Sequence, residues 1–80
     1  MNIFIGNLHE KIKDQHLEDA FRDYGLVLRA KVIMDKHTGR SRGFGFIEMP
    51  NDTQAQKAIE RLNGGTWEGN VIKVSKAYKK

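Results

Sequence analysis

In the stretch SRGFGFIEM, residues 41–49, phenylalanines alternate with glycines between an arginine and a glutamate. Alternation is the period of an extended strand, whose successive side chains point to opposite faces. Arg42, Phe44, Phe46 and Glu48 then share one face, and Gly43, Gly45, Ile47 and Met49 share the other. Flat rings beside a guanidinium do not make or break bonds. They stack on other flat rings while the cation meets an anion, which is the chemistry of holding unpaired nucleotides. Phe4 in NIFIGNL stands between Ile3 and Ile5 in the same alternating way.

Other chemistry has little to work with. His9, His16 and His37 lack metal-ligand spacing, and the chain has no cysteine to join them. Ser41 and Ser75 are the only serines, and neither sits in a nucleophile elbow. GRSRGFG is glycine-rich without the lysine pattern of a phosphate loop. Asn51-Asp52-Thr53 fits a glycosylation sequon, which matters only in a secreted chain. No catalytic residue, metal or cofactor is expected.

Eighty residues, 39% apolar and 30% charged, give a single domain over 1–80 with one modest core. No run approaches membrane-spanning length, and MNIFIGNL enters a strand without a signal peptide's features. No membrane association is expected. The lack of cysteine suits a reducing compartment, and the expectation is a cytoplasmic location; the chain is also expected to be a monomer. Net charge is +4, a mild bias towards a polyanion, but the charges are sorted. Arg29, Lys31, Lys36, Arg40 and Arg42 cluster around one loop and Lys76, Lys79 and Lys80 close the chain, whereas Asp14, Glu18, Asp19 and Asp23 share another segment.

The elements that must position the rings follow from period and punctuation. NIFIGNL predicts a first strand. Asp14 is the expected N-cap of a helix carrying Leu17, Ala20, Phe21 and Tyr24, stopped by Gly25. LVLRAKVIM predicts a second strand, and the turn-rich DKHTGRS leads into the third. After Pro50, Asn51 and Gln54 resemble a capping box for a helix with Ala55, Ala58, Ile59 and Leu62. A short hairpin around Trp67, a packing residue, precedes NVIKVSKA as the last strand.

The order β-α-β-β-α-β predicts an α+β fold, a two-layer ferredoxin-like sandwich. Its four-stranded antiparallel sheet carries both helices on one face. The other face is left in water. Ile3, Ile5, Ala30, Val32, Ile47, Met49, Ile72 and Val74 form a uniformly apolar set for the covered side, where Gly43 and Gly45 would let a helix approach. Phe4, Lys31, Ile33, Arg42, Phe44, Phe46, Glu48, Lys73 and Ser75 mix rings with charges. Burying those charges without partners is costly, so this set takes the open side. Leaving three rings in water forgoes roughly 1.5–3 kcal/mol each, and apolar patches rimmed by charge mark binding surfaces.

With those residues placed, the chain resembles the RNA recognition motif family. Arg42 to Glu48, RGFGFIE, matches its longer signature, with Met49 where an aromatic is usual, and IFIGNL matches its shorter one throughout. LEDAFRDYG, DKHTGRSRG and AIERLNG extend the resemblance over nearly the whole chain, most like the small single-domain members of bacteria and plastids. Met49 falls on the covered face, so the departure concerns packing. The resemblance implies Phe4, Arg42, Phe44 and Phe46 as binding positions for single-stranded RNA: Phe4 and Phe46 under neighbouring bases, Phe44 against sugars, Arg42 on phosphate.

Around them, Lys31, Lys73 and Ser75 share the open face. Arg40 with Lys36, and Lys76 with the terminal lysines, would follow the flanking backbone. Ile33 either packs at the edge or touches a base. Asn7 either braces the first loop or contacts ligand. Tyr78 is either another stacking ring or frayed tail. Glu48 either accepts from a base amino group or tunes charge. Single-stranded DNA remains an alternative ligand, since the distinction rests on sugar hydroxyls. An enzyme of the acylphosphatase kind shares the topology but needs an arginine in the first loop, where GNLHEKIK has only lysines. A peptide-gripping module is the third reading.

Overall fold

The computed structural model describes residues 1–78; Lys79 and Lys80, expected on the flanking backbone, lie outside the described residues. Strand β1 (Asn2–Gly6) is followed by α1 (Asp14–Arg22), β2 (Arg29–Met34), β3 (Ser41–Glu48) and α2 (Asp52–Leu62). A two-stranded hairpin, β4 (Thr66–Trp67) and β5 (Asn70–Val71), then leads to β6 (Lys73–Ala77). The main sheet runs β2-β3-β1-β6, every neighbouring pair antiparallel. Helix α1 packs on β2 and α2 on β6. This is the expected ferredoxin-like sandwich.

The covered face is apolar throughout. Ile3, Ile5, Val32, Ile47, Met49, Ile72 and Val74 are buried, Ala30 is half-buried, and Leu17, Phe21, Ala55 and Ala58 meet them from the helices. Among the described residues no polar or charged residue is buried. Gly45 permits the close packing of α1: a Cβ there would run into the Lys31 carbonyl oxygen of β2 and come within 3.1 Å of Leu17 Cδ1. Gly43 serves otherwise than expected. Its φ of +84° places it in the left-handed region, where the β2–β3 register shifts between Val32 and Met34. It forms a bulge, not a helix seat.

Several boundaries move. Strand β2 begins at Arg29, and Leu26 and Leu28 are exposed residues of the preceding loop. Helix α1 is capped at Lys13, whose N–H donates to His16 Nδ1 at 2.8 Å. Asp14, expected as the cap, lies inside the helix and accepts the Val32 N–H at 2.7 Å, tying helix to strand. Asn51 caps α2 as expected, accepting from the Gln54 N–H at 2.9 Å. The last predicted strand is broken at Ile72, whose N–H bonds the Gly65 carbonyl at 2.9 Å and whose carbonyl accepts from Gly64 at 3.0 Å. That exchange secures the end of α2 to the start of β6.

Candidate nucleic-acid interface

Register on the open face arranges the side chains in rows across the strands. Phe4 of β1 and Phe46 of β3 are direct cross-strand partners, flanked by Lys31 on β2 and Ser75 on β6. In the next row Phe44 faces Gly6, and Gly6 faces Lys73. In the row on the other side, Glu48 lies between Arg29 and Asn2, with Ala77 beyond. The three rings form one cluster. Centroid separations are 6.0 Å for Phe4–Phe44, 5.8 Å for Phe4–Phe46 and 6.0 Å for Phe44–Phe46. Phe4 and Phe44 lie nearly parallel, at 27°, while Phe46 stands edge-on to both. Such offsets are the favourable ones for aromatic quadrupoles, so the rings hold each other in place without a ligand.

Gly6, the fourth residue of IFIGNL and not among the residues expected at the site, shapes this cluster. A Cβ at Gly6 would stand 2.8 Å from Phe4 Cε2. The bare glycine is therefore the floor on which the Phe4 ring lies, inclined towards Phe44. Its place opposite Phe44 in the strand pairing is the signal that could have found it.

The cations stand around the rings. The Arg42 guanidinium lies 5.8 Å from the Phe44 centroid, close enough for a cation–π contact. Lys31 and Lys73 are exposed, as is Ser75. The loop between β2 and β3 is built from its own polar groups. Asp35 Oδ1 accepts from the His37 N–H at 2.8 Å and the Thr38 N–H at 3.1 Å. Asp35 N–H donates to the Arg40 carbonyl at 2.7 Å, and its own carbonyl takes the Gly39 N–H at 2.9 Å. The two amides donated to the Asp35 carboxylate, from His37 and Thr38, hold its pKa below the ordinary 3.8, and Arg42 adds a smaller pull the same way. Exposed Lys36 and Arg40 thus sit on an ordered turn beside Arg42.

Asn7 adopts φ +61° and donates from Nδ2 to the Val71 carbonyl at 2.7 Å, while Asn70 Nδ2 donates back to the Asn7 carbonyl at 3.2 Å. It joins the end of β1 to the hairpin and does not project among the rings. Ile33 is half-buried at the sheet edge and lines the same groove as Phe46 and Tyr78. Tyr78, 81% exposed, has Lys76 Nζ 5.3 Å from its ring centre. It also walls a groove of about 350 Å³ with Phe46, Glu48, Arg29, Lys31 and Asn2. Trp67, the expected packing residue, lies half-buried against the core. The acids of α1 belong to the layer behind the sheet, so the open side is the positive side.

Comparison with known proteins points one way. The family model described as RNA recognition motif matches residues 3–73. A candidate RNA-binding protein of Nostoc sp., RbpB, is 44% identical over 77 residues, covering 96% of this chain and 75% of its own length. The crystal structure of RNA binding protein PG1 superposes with a TM-score of 0.95 at 41% identity, covering 100% of this chain and 96% of that one. A Sex-lethal structure solved as a protein–RNA complex gives a TM-score of 0.92 at 30% identity, covering 99% of this chain and 47% of that one.

Proposed function

The chain belongs to the RNA recognition motif family, and on that footing we propose that it binds unpaired RNA across the open face of its sheet, as a binding module and not as an enzyme. The observation that carries this reading is the cluster of Phe4, Phe44 and Phe46 on the solvent face, with Lys31 and Ser75 flanking its central row. Phe4 and Phe46 take two neighbouring bases, Phe44 packs against sugar, and Arg42 meets a phosphate. Lys36, Arg40 and Lys73 border this path and follow the flanking backbone, whereas Lys76, opposite Ile3 in the strand pairing, starts from the other side of β6 and reaches the Tyr78 ring. A duplex does not fit, because its bases already stack on one another. The sorting of charge supports the reading: a positive face on a weakly basic chain orients a polyanion before contact.

Each base–ring stack contributes about 1–3 kcal/mol. Two or three of them together with a few phosphate contacts place a lone module near micromolar affinity, a level suited to a regulator or chaperone of cytoplasmic RNA that acts with a second module. Fluorescence anisotropy with a short unstructured RNA tests this. Binding should weaken with salt at a slope of about −0.7 per phosphate contact. A flat salt response would favour a peptide ligand, and phosphatase activity in the pure protein would favour the enzyme reading. The same titration with deoxy ligand decides between RNA and single-stranded DNA.

A further inference from the structure

The groove beside Phe46 is more than a continuation of the stacking surface. Its floor is the row in which Glu48 lies between Arg29 and Asn2, and its walls are Phe46, Lys31 and Tyr78. Glu48 is half-buried and two residues beyond Phe46 on the same face, roughly 7 Å along the strand. A base resting on the Phe46 ring reaches that far with its edge. Among the described residues Glu48 makes no ion pair, although Arg29 is its cross-strand partner. An acid on a surface built for a polyanion works against backbone binding unless it recognises something else.

We infer that this groove selects guanine, with Glu48 as the specificity-determining residue; the inference rests on the RNA-binding reading above. An ionised carboxylate only accepts, through two oxygens side by side. Of the four bases only guanine offers two adjacent donors on its Watson–Crick edge, the N1–H and the 2-amino group. Adenine and cytosine offer one amino group there, and uracil one imino N–H. Guanine also carries O6 next to N1–H, where Lys31 or Arg29 can donate to it. In a duplex that edge is occupied by cytosine, but in a single strand it is free. Asn2, on the far side of Glu48, can supply both a donor and an acceptor to the same base or its neighbour.

The test uses the full chain and a set of oligouridines with one central nucleotide changed to guanosine, inosine, adenosine or cytidine. Guanosine should bind about tenfold or more tighter than the all-uridine strand, within the 1–3 kcal/mol typical of a two-bond base contact. Inosine, which lacks the 2-amino group, should fall between them. Glu48→Gln should bring the guanosine strand down to the level of the others, with the melt confirming a folded variant. Equal affinity for all strands, with binding still lost in Phe46→Ala, would overturn the guanine assignment and leave the RNA-binding reading standing. A cytidine preference that Glu48→Gln abolishes would also overturn it, by showing the carboxylate reading one amino group alone. No binding to any strand would sink the reading beneath.

Discussion

Phe46 and Ile47 are neighbours in sequence, both large and apolar, and the sheet gives them opposite surroundings. Ile47 is 1% exposed beneath the helices and Phe46 is 39% exposed on the far side. Neither hydrophobicity nor strand propensity separates them. Their neighbours do. The strand partners of Ile47, Ile3 and Ala30, are both apolar, and no polar or charged residue among the described residues is buried with it. Around Phe46, Lys31 pairs across one edge, Phe4 across the other, and Glu48 lies two residues on. One face of β3 holds the fold together, and the other is left solvated for a ligand. Damage to the two should therefore read out in different measurements.

The largest effect is expected from Ile47→Ala. Removing a buried aliphatic side chain costs about 2–5 kcal/mol. For a domain this small each kcal/mol lowers the melting temperature by about 4–8 °C. The melt should fall steeply while the fraction still folded binds RNA normally.

Phe46→Ala is the mirror image, a loss of about 1–3 kcal/mol in RNA affinity by anisotropy, or roughly five- to 150-fold. Its melt should fall by less than that of Ile47→Ala, because a ring already 39% exposed gives up only part of a full burial along with aromatic contacts to Phe4 and Phe44 worth about 0.5–1.5 kcal/mol each. A melt as low as that of Ile47→Ala would erase the distinction between the faces.

Gly6→Ala refines the comparison, because Gly6 is itself buried yet touches the open face. The added methyl would meet only the outer atoms of the Phe4 ring, at 2.8 Å and 2.9 Å, and a ring can swing aside where backbone cannot. RNA affinity should fall by several-fold as the ring leaves its position near Phe44, a fraction of one stack. Stability should change less than for Ile47→Ala.

The division between the faces was legible in the sequence because it rests on period and on the cost of burying charge, which need no tertiary detail. The apolar set and the mixed set came out on the sides foreseen for them. What escaped was decided by contacts distant in sequence. Asp14 looks like a helix cap, but its carboxylate serves the Val32 amide eighteen positions away. Gly43 and Gly45 look alike, yet one turns a bulge at φ +84° and the other admits Leu17. Asn7 carries a motif position whose side chain proves to be committed to the hairpin. Leu26 and Leu28 extend an apolar run that belongs to a loop. The groove beside Phe46 combines β1, β2, β3 and the tail, and no single stretch could display it.

The smallest effect expected concerns order on the open side itself, in the turn that carries Lys36 and Arg40. Asp35 accepts the His37 and Thr38 amides, and its pKa is depressed below 3.8 by those bonds first. A depressed carboxylate favours the native turn fully above its unfolded pKa, and that preference is lost as pH falls through the lower, folded value. NMR should show the Thr38 amide shift following a carboxylate titration in acid, with a midpoint under 3.8. Asp35→Asn keeps an acceptor oxygen and should hold the turn while abolishing that titration. Asp35→Ala removes the acceptor, so Lys36 and Arg40 lose their fixed positions. RNA affinity should then fall by no more than about threefold, with a shallower salt slope, as for the loss of a single partly formed phosphate contact. A melt unchanged by Asp35→Ala would extend the contrast between the faces to the turn; a melt lowered as far as that of Ile47→Ala would place the turn with the covered face.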